Sequence, residues 1–596
     1  MGSFGYCQRG RKSAIISNNG LWKFVSAIGL TEKNGNIVMK KVVLIAGLLA
    51  GLWAGLAAQA ASPLPSGYTP LLYIESTGLE QIDTGVNAGT HTTVDMRFGH
   101  VKPIDHSVIF GKDIWNPKGF LFIVQFKHIR FFGNVGNEPG PEWNLADADP
   151  TETLDYRFVL GADSVARLTV GNEKKARELK VDRASDSSQT LKLFKGTHAF
   201  HGKGGVFRLY SLKLGTDAGE AVRDFVPCRT PAGEVGLWDR VTGRFFGNVS
   251  GFGAFFGSTK GERWTLARAQ AWGKANPWLC GFNHVPANAI NDVEIWQKST
   301  FSPELIRKEF ALAKGLGLNC VRIFLQYKVY EDDPVWFMSA FEQYLKLADE
   351  AKLKVMPVLF DDCAPGVSTD PILGKQPDPL PGWTMWGWVP SPSHEMVVDW
   401  RTHGKLEKYL KDVIGAHKND PRIFVWDLYN EPAAGGAARV PYSWTLVKKC
   451  FAWAREIDPV QPLTVCVWVG TRELNDILLR ESDVVSFHSY RNPAASRAFI
   501  KELAVHQRPL ICTEWMCRTH NNTIRNCLGI YKETGVGCMM WGLVNGKTQT
   551  YLPFGHKPDR GVYKGVWKHD IYHTDHTPYD AGELELLKKA TKGIGW

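Results

Sequence analysis

Two glutamates, each at the end of a short apolar run, hold the chemistry most readily read from this chain. Glu431 closes Ile423-Phe424-Val425-Trp426-Asp427-Leu428-Tyr429-Asn430-Glu431 and is followed by Pro432, and Glu514 closes Pro509-Leu510-Ile511-Cys512-Thr513-Glu514. Breaking a glycosidic bond takes two carboxyl groups, one protonated to donate to the leaving oxygen and one ionised to meet an oxocarbenium-like carbon. A plainer reading makes Asn430 a helix cap, with Glu431 and Pro432 in the first turn and Glu514 an ordinary strand-end carboxylate. The texture of the C-terminal half favours the chemical reading.

That half alternates strand-like and helix-like segments. Apolar runs fall at Leu279–Asn283, Cys320–Leu325, Val355–Phe360, Ile423–Leu428, Leu463–Val469, Val484–Phe487, Leu510–Thr513 and Cys538–Trp541. Amphipathic stretches lie between most of them: Ile306, Phe310 and Ala313 share one helical face, as do Leu406, Leu410, Val413 and Ile414. Eight strands, each with room for a helix, predict a (β/α)₈ TIM barrel over 264–596. Functional side chains of that fold stand at the C-terminal ends of strands, so Glu431 follows strand four and Glu514 strand seven, facing one another across the mouth. Asn283 and His284 end strand one and Asp361 ends strand three, which makes them candidate sugar hydrogen-bonders at the same mouth. The long segment from Cys363 to His403 carries Trp383, Trp386, Trp388 and Trp400, a candidate wall of indole faces for stacking on sugar rings. Of 22 tryptophans, 17 lie in 264–596, which concentrates that capacity in the barrel half.

On these residues the barrel half resembles the retaining glycosidases of clan A, glycoside hydrolase family 5 (cellulases and mannanases) most of all. The resemblance rests on Asn430-Glu431-Pro432 after strand four, His488-Ser489-Tyr490 after strand six, Glu514 after strand seven, Trp541 on strand eight and Arg322 on strand two. It implies Glu431 as general acid/base, with a raised pKa, and Glu514 as nucleophile. Arg322 and Tyr490 would keep Glu514 ionised, Asn430 would donate to the substrate 2-hydroxyl, His488 would bond around the acid/base, and Trp541 would floor the cleaved sugar. The implied activity is double displacement on a β-linked poly- or oligosaccharide of β-glucan, mannan or xylan type. The alternatives are a glycan-binding or adhesion protein with a degenerate barrel, and a transglycosylase. Clan A chemistry needs no metal or cofactor and none is assigned; the His569, His573 and His576 cluster lies in a Gly/Pro-punctuated stretch without clear helical spacing.

Residues 62–257 read as all-β, with strand-like runs such as Thr92–Phe98 and Val206–Tyr210 separated by Gly, Asn, Asp and Pro. This predicts a two-sheet sandwich or jelly roll. Its opening Leu64-Pro65-Ser66-Gly67-Tyr68 and Ile82-Asp83-Thr84-Gly85, with Gly236-Leu237-Trp238-Asp239 near its end, resemble the laminin-G/concanavalin-like sandwiches of secreted bacterial proteins, which bind glycans or proteins or act as spacers. Residues 258–263 would link the two domains. Residues 39–60 read as a signal peptide: Met39-Lys40-Lys41, an uncharged apolar run, then Ala58-Gln59-Ala60. They predict a secreted, periplasmic or cell-surface protein without stable membrane insertion after cleavage, and 1–38 an extension outside the fold. Seven Lys/Arg against Glu32 in residues 1–60 account for +6 of the formal +10, and the remaining +4 gives no footing for nucleic acid.

Overall fold

The computed structural model describes residues 63–596 except 88–91, 103–106, 112–119, 126–127, 136–137, 140–142, 145–152, 164, 172–175, 181–189, 195–204, 217, 260–262, 367, 435–439, 469–471 and 555–562. The expected extension and signal peptide lie outside the described residues, as does part of the expected linker. Pro63–Trp596 form one compact unit. Among the described residues no helix is long and apolar enough to cross a membrane.

The N-terminal part is antiparallel sheet. One sheet runs in the order Arg177–Lys180, Val165–Val170, Thr153–Leu160, Thr92–Lys102, Val206–Thr216, Ala221–Arg229, Val235–Asp239, Arg244–Phe246. A second contains Ser107–Gly111, Phe120–Gln125 and His128–Val135 at its centre. Along Thr92–Lys102 the alternation works as a period of two requires: Val94, Met96 and Phe98 are buried, while Asp95 is half-buried and Arg97 exposed. The two sheets share one apolar core, in which Phe110 of the second meets Phe158 of the first edge-on at 6.0 Å between ring centroids.

The C-terminal part is an eight-stranded parallel barrel. Its strands are β1 (Cys280–Asn283), β2 (Cys320–Phe324), β3 (Lys354–Val358), β4 (Trp426–Asp427), β5 (Leu463–Thr464), β6 (Val485–His488), β7 (Leu510–Trp515) and β8 (Gly537–Trp541). The β1 strand pairs with both β2 and β8, and the ladder continues to β5 on one side and β6 on the other. The β5–β6 seam is joined by a bridge between Val467 and Phe487, with Val467 N–H donating to Ser486 O (2.8 Å) and His488 N–H to Val467 O (2.9 Å). Helices follow every strand. Pro303–Gly315 starts with proline at its first position, where the missing N–H costs nothing, and buries Ile306, Phe310 and Ala313. His403–His417 buries Leu406, Leu410, Val413 and Ile414. Both faces are those the spacing predicts.

The two parts are joined by buried charge. Glu75, on Tyr73–Glu75, accepts from Arg208 Nε (2.8 Å) and from Lys448 Nζ (2.7 Å) of the barrel helix Val440–Ile457, while Arg208 Nη2 reaches Glu481 at 2.6 Å. These four side chains are 14% exposed or less. Arg229 adds a bond to Glu456 at 3.0 Å.

Candidate active site

Local backbone irregularities aim the two glutamates. In β7, Cys512 pairs with Cys538 and Trp515 with Met540, so three steps along one strand oppose two along the other. The extra residue bends the strand and re-aims its side chains at Thr513–Glu514. Beyond β4, Asn430 N–H donates to Phe360 O (2.7 Å) and Glu431 turns into the left-handed region at φ 38°. A non-glycine residue there costs about 1–3 kcal/mol and is held by its surroundings.

Arg322, fully buried, is the hub. Its Nε and Nη2 meet Asp427 Oδ2 (2.9 and 2.8 Å), Nη1 donates to Asn283 Oδ1 (2.9 Å) and Glu514 Oε1 (2.8 Å), and Nη2 to Asn430 Oδ1 (2.7 Å). Because a guanidinium only donates, Asn430 must present its oxygen to it; its Nδ2 then donates to Asp361 Oδ1 at 2.8 Å and faces Cys363 Sγ at 3.6 Å. Tyr490 O–H donates to Glu514 Oε2 (2.7 Å). His488 Nδ1 bonds Glu431 Oε1 (2.7 Å) and lies 3.5 Å from Glu514 Oε2. Oxygens of the two glutamates and a nitrogen of His488 all lie within 4.8 Å of one another.

The proton distribution departs from two expectations, a raised Glu431 and a Glu514 kept ionised by Arg322 and Tyr490. Burial pushes the Glu431 carboxyl up, but the His488 hydrogen bond and charge, together with the Cys363 S–H, outweigh it and hold Glu431 below the usual range. Glu514 is raised, by burial and by the negative charge of Glu431, against His488, Arg322 and Tyr490. His488 is itself raised well above an ordinary histidine: burial opposes its charge, and Cys466, Glu514 and Glu431 restore it. The pair therefore favours the proton on the His488 imidazole and the carboxylate form of Glu431. The expected raised pKa of Glu431 fails because the proton has a better seat one bond away. Tyr490→Phe, which removes one charge-assisted donor from Glu514, is expected to lower kcat/KM on a β-glycan by about 10- to 100-fold, measured at substrate concentrations well below KM.

Four of the other predicted residues are committed to partners within the protein. Asn283 donates from Nδ2 to Thr513 O (2.8 Å) and Met540 O (3.2 Å), and so braces Arg322 from inside the barrel. His284 points outward into the helix layer, bonded to Tyr344 Oη (2.9 Å) and Glu309 Oε2 (2.7 Å). Strand alternation puts consecutive residues on opposite faces, so Asn283 and His284 do not both face the mouth. Trp388 is 1% exposed; its indole N–H donates to Asp361 Oδ2 (2.9 Å), and it packs with Phe324, Met385 and Trp541. Asp361 is a brace as well, pushed up to about 7 by burial against bonds from Asn430, the Cys363 N–H and Trp388. Trp541 meets Phe324 edge-on at 5.8 Å between centroids. After it, Gly542 turns at φ 80°, where a Cβ would stand 2.1 Å from Asp570 Oδ1. Trp383 is exposed and meets the half-buried Trp386 edge-on at 5.3 Å, and Gln549 of the loop after β8 donates to Trp383 O.

Four residues escaped the sequence reading. Asp427 balances Arg322, and its place in the apolar run before Glu431 was the available signal. Cys363 Sγ lies 3.1 Å from Glu431 Oε2, and the Glu431 N–H reaches Cys466 Sγ at 3.4 Å. Lys568, buried and brought down to about 8 by that burial, adds positive charge in the field of Glu514 and Glu431. No spacing rule marks the last three. As a metal site, Glu431, His488 and Glu514 form a close donor trio whose carboxylates are already bonded by His488, Arg322 and Tyr490. Glu342, His417 and Asp420 form another trio, whose two carboxylates share ion pairs with Arg422 at 2.8 and 2.6 Å.

Among known proteins, the chain is similar to mannan endo-1,4-beta-mannosidase F of Aspergillus clavatus, 32% identical over 71 residues, which span 11% of this chain and 16% of that protein. Among solved structures it is similar to the endo-beta-1,4-mannanase of Thermotoga petrophila, with 14% identity over 54% of this chain and 77% of that one and a TM-score of 0.36. A second is the beta-glucuronidase of Bacteroides uniformis, with 11% identity over 88% of this chain and 50% of that one and a TM-score of 0.34. The family model that matches is "Glycosyl hydrolases family 2, TIM barrel domain", over residues 299–536. That is family 2, where the strand-end motifs resemble family 5. Residues 299–536, which hold Glu431, Glu514, Arg322 and His488, thus match a glycoside hydrolase TIM-barrel domain.

Proposed function

We propose that this chain is a retaining β-glycoside hydrolase, family 5-like in its site, that cleaves a β-linked poly- or oligosaccharide by double displacement. The observation that supports it most is the separation of Glu431 and Glu514, with oxygens inside 4.8 Å. Retaining pairs stand about 5–5.5 Å apart, whereas inverting pairs leave about 6.5–9.5 Å for a water. Glu514 attacks the anomeric carbon while the bond to the leaving oxygen breaks and Glu431 supplies that oxygen with a proton. The proton is held in common with His488, 2.7 Å away, and moves onto Glu431 as negative charge grows on the departing oxygen. Water then attacks the glycosyl-enzyme, losing its proton to Glu431, and Glu514 is released. Arg322 and Tyr490 take up the charge that Glu514 regains in that step. Trp541 floors the sugar being cleaved, and Trp383 with Trp386 offers indole surface further out.

Among substrates mannan is favoured over β-glucan and xylan, a reading supported by the name of the Aspergillus relative. The N-terminal sheets are read as a laminin-G/concanavalin-like sandwich that takes a glycan or protein ligand, and residues 39–60 as the export signal of a secreted, periplasmic or cell-surface enzyme. Incubating the protein with mannan, β-glucan and xylan and following product anomers by NMR tests the reading. β-Anomers appearing first from one glycan are expected; α-anomers appearing first, or no release from any, would overturn it.

A further inference from the structure

Glu431 is held by sulfur on two sides. Cys363 Sγ, from the loop after β3, lies 3.1 Å from Glu431 Oε2, and Cys466 Sγ, beyond β5, accepts the Glu431 backbone N–H at 3.4 Å. The contact with Cys363 has a direction. A carboxylate only accepts, so the thiol must donate its S–H. Burial, with the charges of Glu431, Asp361 and Glu514 close by, pushes the Cys363 thiol well above an ordinary cysteine, so the proton stays on sulfur. Asn430 Nδ2 approaches the same sulfur at 3.6 Å. All the other described cysteines are buried, whereas Cys363 is half-buried at the edge of the site.

We propose that Cys363 is a positioning residue for the acid/base: its S–H holds one oxygen of Glu431 while His488 holds the other, fixing the plane of a carboxyl whose backbone is in the left-handed region. The inference rests on the glycosidase reading for its catalytic consequence only. The groups facing Glu431 are His488 from β6, Arg322 from β2, Glu514 from β7, the two thiols, Asp361, Tyr490 and Lys568. The S–H is a donor to the ionised form, so its loss raises the Glu431 titration.

The test is a ¹³C-glutamate NMR titration of the full chain, with the Glu431 signal assigned by its loss in Glu431→Gln. In Cys363→Ala the Glu431 step should move up by about half a unit to one unit, and Cys363→Ser, which restores a donor, should return most of it. In parallel, kcat should fall about three- to tenfold in Cys363→Ala with KM within about twofold, and recover in Cys363→Ser. A Cys363→Ala step that coincides with wild type, or a Cys363→Ser step displaced as far as that of Cys363→Ala, overturns the proposal, because packing alone would then account for the sulfur. A wild type that turns over no glycan while the Glu431 step still moves sinks the glycosidase reading and leaves the thiol bond standing.

Discussion

Glu514→Ala should abolish hydrolysis of unactivated β-glycans, a loss on the order of 10⁴-fold or more, and azide should then turn over an activated aryl β-glycoside to the α-glycosyl azide. The small anion enters the space the carboxylate leaves and attacks the anomeric carbon once, so configuration inverts. Glu431→Ala should behave differently. With a good leaving group Glu514 still forms the glycosyl-enzyme, and azide attacks that intermediate from the opposite face to give the β-azide. Loss of general acid–base help costs about 10²–10⁴-fold on poor leaving groups and far less on good ones. The product anomers therefore assign the two roles independently of any pKa. Exchange of the two anomers between the variants would reverse the assignment, and wild-type rates in either variant would remove both residues from the reaction. Circular dichroism of each variant confirms that the barrel persists.

Glu75→Ala should destabilise the whole chain by about 3–5 kcal/mol although it lies far along the sequence from the site. Its carboxylate is the partner of Arg208 and Lys448, both largely withdrawn from water, and its removal takes one partner from Arg208 and strands Lys448 at the junction of sheet and barrel. Glu481 still partners Arg208, so the larger share of the penalty falls on Lys448. Asp95→Ala is the matched control: its pair with Arg157 is 58% and 40% exposed and should be worth about 0–1 kcal/mol. Thermal unfolding followed by calorimetry checks both. One transition is expected in the wild type, since charge from each part completes the other, and Glu75→Ala should bring its midpoint down by several degrees. Two separate transitions in the wild type would mean that the sheets and the barrel unfold as independent bodies.

Much of the barrel was legible because its signals are local. Apolar runs of four to seven residues gave eight strand positions within a few residues of those observed, and the faces of two helices followed from their spacing. The regular ladder is shorter than the apolar run in β4 and β5, where bridges and single bonds take over. The end of β4 was legible as chemistry because Asn, Glu and Pro in that order have few reasons to close a buried strand, and that of β7 because Glu514 closes an apolar run. The aim of each side chain was not. A one-residue bulge at Thr513–Glu514 leaves no mark in composition, and the outward turn of His284 depends on Tyr344 and Glu309, far along the chain. Trp388 was read as a sugar platform from its type and loop, and only the packing of Met385, Phe324 and Trp541 around it withdraws it. The proton count was least legible, since it depends on four charged groups brought together from separate strands.

The single bridge across the β5–β6 seam has a dynamic corollary. One of its two backbone bonds is donated by His488 itself, so a backbone join of the barrel wall and the imidazole that serves Glu431 belong to one residue. Amide deuteration should reach Val467 and His488 before the central amides of β1 and β2, and at a rate that follows occupancy of the cleft. A bound sugar that tightens the imidazole–carboxylate pair would slow exchange there, so that ligand affinity and the breathing of the barrel wall become one measurable equilibrium.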